Sequence, residues 1–151
     1  MIDIAERIFL DTNVLLYWLD PADAEKQSMA RRWVMAAWQN SAGRTSWQVL
    51  HEFYTNAIHQ LKTPPRQARS VVAEYAEWAP VGAGLAQAQR AWYWMDQAGI
   101  AFWDALIVAA AETAKCSYLL SEDFQRGRRF GDLLVVSPFH TEPQHLFGPV
   151  R

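Results

Sequence analysis

Short apolar runs alternate along the chain with longer segments in which apolar residues recur every three or four positions. The short runs lack the two-residue alternation of strands with one exposed face, so they predict strands that are buried on both faces. These strands are predicted at residues 7–10, 44–45, 118–121 and 133–136, with a faint one at 80–81. The helices are predicted at residues 12–19, 22–40, 46–61, 65–78, 84–97 and 102–114. Strands separated by helices predict an α/β fold, a three-layer α/β/α domain around a short, mostly parallel sheet.

The length of the chain, 151 residues, corresponds to a single domain. The last predicted strand is followed by a segment with three prolines and no apolar periodicity. We therefore expect one domain over residues 1–139 and an irregular C-terminal tail over residues 140–151.

Composition and charge exclude several classes of protein. The single cysteine, Cys116, excludes an intramolecular disulfide and a zinc site built from thiolates. Asp3 and Glu6 stand where a signal peptide carries positive charge, and Asp104 interrupts the best candidate for a membrane helix. We therefore expect a cytoplasmic protein without a membrane segment. The net charge of −2 does not by itself indicate a nucleic-acid-binding protein.

Two carboxylates lie in strings that otherwise carry no charge. Asp11 is the only charged residue between Arg7 and Asp20, and Asp104 is the only one between Asp96 and Glu112. Burial of an unpaired carboxylate costs several kcal/mol, so each of these acids needs a partner, and neither string contains a basic residue. A divalent cation would serve, and carboxylate oxygens favour Mg²⁺ or Mn²⁺.

A third acid, Asp123, follows a predicted strand, as Asp11 does. Ligands of open parallel sheets bind beyond the carboxyl ends of the strands, so Asp11, Asp104 and Asp123 are predicted to converge there. Each acid also has a simpler interpretation. Asp11 and Asp104 are suitable helix N-caps, and Asp123 is a common turn residue. Glu52 lies on the polar face of the predicted helix 46–61, which favours a solvent-exposed side chain.

The chain resembles the PIN-domain family in four segments that occur in the order of the family. They read IFLDTNVLLYWLD, SWQVLHEFYTNAI, FWDALIVAAAETAKCSYLLSEDFQRG and VVSPF. The resemblance covers residues 7–139, which is nearly the whole chain. Within the family, the chain is similar to the VapC-type toxins of prokaryotic toxin–antitoxin modules.

The resemblance implies a metal-dependent endoribonuclease whose acidic site holds one or two Mg²⁺ or Mn²⁺ ions. It assigns four carboxylates to that site, namely Asp11, Glu52, Asp104 and Asp123. For Glu52 the resemblance replaces the solvent-exposed side chain that periodicity favours with a residue of the acidic site. Asn13 and Ser121 match polar positions that support the cluster. Glu122 is the weaker match, because the acid of the family usually stands two residues after the serine, which is Asp123 here.

The resemblance also implies an RNA substrate, a small antitoxin protein as partner and a homodimer. Arg126, Arg128 and Arg129 closely follow Asp123 and are candidate contacts for RNA phosphates, with a solvated turn as an equally open alternative. The alternative function is a non-catalytic PIN-like RNA-binding or assembly module. The presence of all four carboxylates favours the enzyme.

Overall fold

The computed structural model of the protein describes residues 6–148. Asp3, which speaks against a signal peptide, and the last three residues of the predicted tail lie outside the described residues. The strands are β1 (Ile8–Leu10), β2 (Gly43–Arg44), β3 (Tyr118–Leu120), β4 (Arg129–Phe130) and β5 (Leu133–Val136). They form one sheet in the order β2-β1-β3-β5-β4, in which only β4 runs antiparallel to its neighbour.

Seven helices surround this sheet in the described part of the chain. They are α1 (Thr12–Leu19), α2 (Ala24–Gln39), α3 (Trp47–His59), α4 (Pro65–Tyr75), α5 (Leu85–Ala98), α6 (Phe102–Thr113) and α7 (Gln144–Phe147). A 3₁₀ turn over Ala76–Trp78 extends α4. All three residues of β1 have no exposed surface, because helices cover both faces of the sheet. The predicted three-layer α/β/α fold with a mostly parallel sheet is confirmed.

The core runs from the sheet into α3 and α6. The stretch of α6 from Ala105 to Ala111 is buried, and Val49, Leu50, Phe53 and Ala57 form the buried stripe of α3. No helix in residues 6–148 is long and apolar enough to cross a membrane.

The structure differs from the prediction in its shortest elements. The faint strand at residues 80–81 is reduced to one bridge, between Ser46 and Val81. Strand β4 was not predicted, because a strand of two residues has no recognisable pattern of apolar positions. The turn between β4 and β5 contains Gly131, whose φ of 61° is favoured by glycine.

The tail after β5 is more ordered than predicted. It contains α7, a single helical turn, and Leu146 and Phe147 of that turn pack against the core. The indole of Trp33 donates a hydrogen bond to the carbonyl of Pro138 (2.9 Å), and Arg32 forms an ion pair with Glu142. The described part of the tail is thus attached to the domain by packing that sequence periodicity does not reveal.

Candidate metal centre

Asp11 is the first residue after β1, at the carboxyl end of the sheet. Its backbone N–H donates to the carbonyl of Leu120 (3.1 Å), which continues the pairing of β1 with β3. Its side chain is the N-cap of α1: Oδ1 accepts from the N–H of Thr12 (2.8 Å), and Oδ2 accepts from Oγ of Ser121 (2.7 Å). The capping interpretation is therefore correct, and it is compatible with a position at the sheet edge.

The carboxyl of Asp11 is 5% exposed. Burial raises its pKa from 3.8 to about 6, although the hydrogen bonds from Ser121 and Thr12 lower it; the charges of Asp123 and Glu52 raise it further. A buried carboxyl whose pKa lies so close to neutrality is costly to ionise. Within residues 6–148, the surroundings of Asp11 supply hydrogen bonds and negative charge but no basic side chain.

Glu52 lies on α3 and reaches the same edge. Its Oε2 accepts from Oγ1 of Thr12 (2.9 Å), and its Oε1 accepts from Nε2 of Gln48 (3.2 Å). Nε2 of Gln48 also approaches the carbonyl of Trp103 at 3.3 Å. The side chain is partly buried, so the interpretation of Glu52 as a freely solvated glutamate is wrong. The periodicity places Glu52 opposite the core stripe but says nothing of α1, which lies against this part of α3.

Asp104 lies in the first turn of α6 and is exposed. The expectation that it is buried is wrong, because the apolar residues around it are buried only from Ala105 onward. The capping alternative is also wrong, since Ala101 is the N-cap. Partial desolvation, followed by the charges of Asp123 and Glu52, raises the pKa of Asp104. An acid in the first turn is favoured by the helix dipole, and here it faces other acids instead of a basic residue.

Asp123 and Glu122 point to different partners. Oδ2 of Asp123 accepts from Nδ2 of Asn13 (3.1 Å), and its N–H donates to Oγ of Ser121 (3.0 Å). The carboxylate of Glu122 instead forms an ion pair with Nζ of Lys26 (2.6 Å). The preference for Asp123 over Glu122 thus agrees with the hydrogen bonding.

Ser121 and Asn13 join the acids. Ser121 is fully buried; its hydroxyl donates to Asp11 and accepts from the N–H of Asp123, and Nδ2 of Asn13 lies 3.3 Å from it. Oδ1 of Asn13 accepts from the N–H of Glu122 (3.2 Å). The two polar side chains tie α1 to the segment after β3.

Residues 8–129 match the PIN domain family. The chain belongs to that family. No protein of the curated collection matches its sequence significantly.

Two solved structures resemble this PIN domain. A toxin–antitoxin complex from Klebsiella pneumoniae matches with a TM-score of 0.63 at 18% identity, over 89% of this chain and 99% of the other. VapC20 from Mycobacterium tuberculosis, a toxin that cleaves the sarcin–ricin loop, matches with a TM-score of 0.55 at 20% identity, over 74% of this chain and 86% of the other. At these identities the likeness establishes the fold.

The three arginines after Asp123 differ in their contacts with the rest of the domain. Nη2 of Arg128 donates to the carbonyl of Ala98 at the end of α5 (2.8 Å), and its guanidinium lies over the ring of Phe130. Arg126 and Arg129 are exposed. In this PIN domain, Arg128 therefore joins α5 to β4 through one of its five N–H donors.

The donor set of the PIN domain suits a hard divalent cation, because all four side chains offer carboxylate oxygens. The charges of Asp123 and Glu52 each raise the pKa values of Asp11 and Asp104, so the four acids lie within electrostatic reach of one another. Within residues 6–148, however, no three acidic, histidine or cysteine side chains are gathered closely enough to hold an ion as they stand. Ion binding requires these side chains to move together against a repulsion that the cation removes.

Thr12 and Gln48 were missed as contributors to this edge. Both donate to Glu52. For Gln48 a signal existed, because it stands four residues before Glu52 on one helix. For Thr12 the sequence contains no such signal beyond its place between Asp11 and Asn13, because its hydrogen bond to Glu52 joins α1 to α3.

Proposed function

We propose that this PIN domain is a metal-dependent endoribonuclease that hydrolyses RNA phosphodiester bonds. The observation that carries the proposal is the group of four carboxylates at the carboxyl edge of the sheet. Neutral donors orient three of them, Asp11, Glu52 and Asp123, and within residues 6–148 the buried Asp11 has no basic partner. Without a cation, desolvation and mutual repulsion of these acids destabilise the folded protein. Acids in such an arrangement are typical of a functional site, here one that binds a cation.

The proposed ligands of one or two Mg²⁺ or Mn²⁺ ions are Asp11, Asp104 and Asp123, assisted by Glu52. A divalent cation there supplies Lewis acidity, which lowers the pKa of water and neutralises charge on the phosphate. Attack of water on phosphorus with departure of the 3′-oxygen leaves a 5′-phosphate and a 3′-hydroxyl.

The supporting residues act on the orientation of the acids. The hydroxyl of Ser121 directs Oδ2 of Asp11 and restrains the backbone of Asp123. The amide of Asn13 holds Asp123, and Thr12 with Gln48 holds Glu52. These donors restrict the rotation of the carboxylates without fixing the distances between them, so less freedom is lost when the acids close on an ion.

We assign the nuclease to the VapC-type toxins, with a small antitoxin protein as partner and the cytoplasm as compartment. The resemblance in sequence and the kind of proteins with the same fold support this assignment. A homodimer is supported by large apolar side chains on the surface. They include Trp92, which is 50% exposed, and Trp103, which is 64% exposed.

End-group analysis of cleaved structured RNA tests the catalytic proposal. We expect 5′-phosphate and 3′-hydroxyl ends with Mg²⁺ or Mn²⁺, and no cleavage in EDTA or by the Asp11→Asn variant. Cleavage that persists in EDTA, or that leaves a cyclic phosphate, would contradict the proposal. RNA binding without turnover under every metal condition would favour the binding or assembly module.

Purification of the native protein tests the partners. We expect a small protein to copurify, and the isolated PIN domain to have the mass of a dimer by light scattering. A monomeric mass at micromolar concentration counts against the homodimer, and copurification that survives Asp11→Asn separates antitoxin binding from catalysis.

A further inference from the structure

A second cleft, the amino-edge cleft, lies beside β2, an outer strand of the sheet, and includes the residues that precede β1 and β2. Its volume is about 780 Å³. It is lined by Arg7 before β1, by Ser41 before β2 and by Ala114 after α6. None of the four carboxylates of the candidate metal centre lines this cleft. The proposed nuclease reaction does not use it.

Two guanidinium groups line this amino-edge cleft. Nη1 of Arg7 donates to the carbonyl of Ala114 (3.1 Å), and Nη1 of Arg44 donates to the carbonyls of Gly43 (2.7 Å) and Ser41 (3.3 Å). In the described part of the chain, neither group forms an ion pair with a carboxylate. Partial burial, and after it the charge of Arg7, lowers the pKa of Arg44. Backbone carbonyls thus hold two like charges near each other, and an anion shared between them would relieve their repulsion.

An aromatic wall stands beside the two arginines. Trp38 and Trp78 both line the cleft, with ring centroids 4.7 Å apart. Trp78 is buried behind Trp38, whereas Trp38 keeps 36% of its surface exposed. Gly43 permits this wall, because a Cβ at that position would lie 2.3 Å from the ring of Trp78.

The backbone of the cleft is strained at two lining positions. Ser41 has a φ of 51° and Ala79 a φ of 50°, which is the left-handed region that residues with a Cβ avoid. Only four such residues other than glycine occur in residues 6–148, so half of them line this cleft. Strain of this kind persists where the surroundings fix the backbone, and it is concentrated at binding sites.

We propose that the amino-edge cleft binds a nucleotide, with its phosphate between Arg7 and Arg44 and its base on the exposed face of Trp38. A bare inorganic anion would satisfy the guanidinium groups but leave the indole uncovered, whereas a nucleotide satisfies both. The volume is within the range of small-molecule sites. Glu77 also lines the cleft and is exposed there, so its charge opposes the phosphate.

The probe is adenosine monophosphate, added to the whole protein in EDTA and followed by calorimetry and by NMR of backbone amides. We expect saturable binding at millimolar concentration or below, tighter than that of inorganic phosphate or adenosine by about tenfold. The largest shifts should occur at Gly82 and Gly84, which line the cleft, and none at Ser121. No saturable binding, or shifts confined to Ser121 and its neighbours, would overturn the proposal. The same titration with a 5′-phosphorylated oligonucleotide shows whether the cleft prefers the 5′ end of an RNA or a free nucleotide.

Four substitutions separate the contributions within the cleft. Arg44→Gln should weaken both adenosine monophosphate and phosphate about tenfold, whereas Trp38→Leu should weaken only the nucleotide. Glu77→Gln should strengthen both ligands, because it removes an opposing charge. Arg66→Gln is the matched control, since Arg66 is exposed on α4 outside the cleft, and it should change neither. Thermal melting verifies folding of each variant. Equal effects of Arg44→Gln and Arg66→Gln would overturn the proposal.

Discussion

The two edges of the sheet concentrate opposite charges by the same means. At the carboxyl edge, hydroxyl, amide and backbone N–H donors hold carboxylates in range of one another. At the amino edge, backbone carbonyls hold Arg7 and Arg44. In the described residues, neither Asp11 nor Arg44 has a hydrogen-bonded partner of opposite charge. A ligand of opposite charge would relieve the repulsion between like charges that neutral groups hold together, which is the role we propose for a cation at one edge and for an anion at the other.

The edges differ in depth of burial. Asp11 is almost completely buried, and burial is the largest cause of its raised pKa. Arg44 is half-buried, and burial lowers its pKa. We therefore expect substitutions at the carboxyl edge to have the larger consequences.

The largest effect is expected from Asp11→Asn, which keeps the size and the capping ability of the side chain but removes the charge. Cleavage of RNA should fall by more than the ~10–100-fold typical of changes in residues that merely orient metal ligands. The fold should persist, because asparagine is also a good N-cap. Single-turnover cleavage and circular dichroism measure the two properties. A variant that cleaves at the wild-type rate would remove Asp11 from the proposed site.

The pH dependence of stability in EDTA tests the burial of Asp11 directly. Between its ordinary pKa of 3.8 and about 6, the folded protein keeps a proton that the unfolded chain has lost. The contribution of Asp11 to stability is therefore most favourable below about pH 4 and declines by roughly 2–3 kcal/mol as the pH rises through 6.

Urea unfolding of wild type and Asp11→Asn from pH 4 to pH 7 isolates that contribution, since the other acids are common to both proteins. The variant should gain stability relative to wild type as the pH rises. A constant difference between the two would mean that Asp11 is not desolvated as the structure indicates.

Ser121→Ala tests the neutral donors of the carboxyl edge. Loss of the hydroxyl frees Oδ2 of Asp11 and the N–H of Asp123, so cleavage should fall by about 10–100-fold at subsaturating metal. Additional Mn²⁺ should restore part of the rate, because the ligands themselves remain. Ser137→Ala is the matched control: Ser137 follows β5 next to Ser121, but its hydroxyl bonds His140 and the N–H of Phe139 rather than an acid, so its loss should leave the rate within about twofold. No rescue by metal would assign Ser121 a role in folding alone.

Gly43→Ala perturbs the amino edge. The added Cβ meets the ring of Trp78, so the protein should lose about 1–3 kcal/mol of stability. The cleavage rate per folded molecule should stay close to that of wild type. Denaturant unfolding and activity measured on the same sample make the comparison. A loss of activity that exceeds the loss of folded protein would mean that the two edges are coupled.

The smallest effect is expected from Glu122→Gln. It breaks a partly exposed ion pair with Lys26, which should cost less than about 1 kcal/mol and leave cleavage nearly unchanged. Asp123→Asn, one residue away, should abolish most of the activity. The reverse order of the two activities would identify Glu122 as the acid of the site.

Most of the layered fold was predictable because its long helices and apolar strands carry periodic signals. Strands β1, β3 and β5 were recognised within a residue of their observed bounds, and α6 within one residue of its end. Strand β4 and α7 were not, because two to four residues contain no period and their order comes from packing.

At the carboxyl edge, the sequence predicted correctly that Asp11 directly follows one strand and that Asp123 closely follows another, three residues after its last residue. By itself the sequence determined the elements and which acids stand at their ends. Only the tertiary structure decided that Glu52 meets Thr12 from another helix, that Asp104 is exposed and that Glu122 turns to Lys26. It alone brought Arg7 and Arg44 beside Trp38. The physical reason is that strand ends and helix faces are local properties of the chain, whereas the meeting of side chains from distant segments depends on how those segments pack.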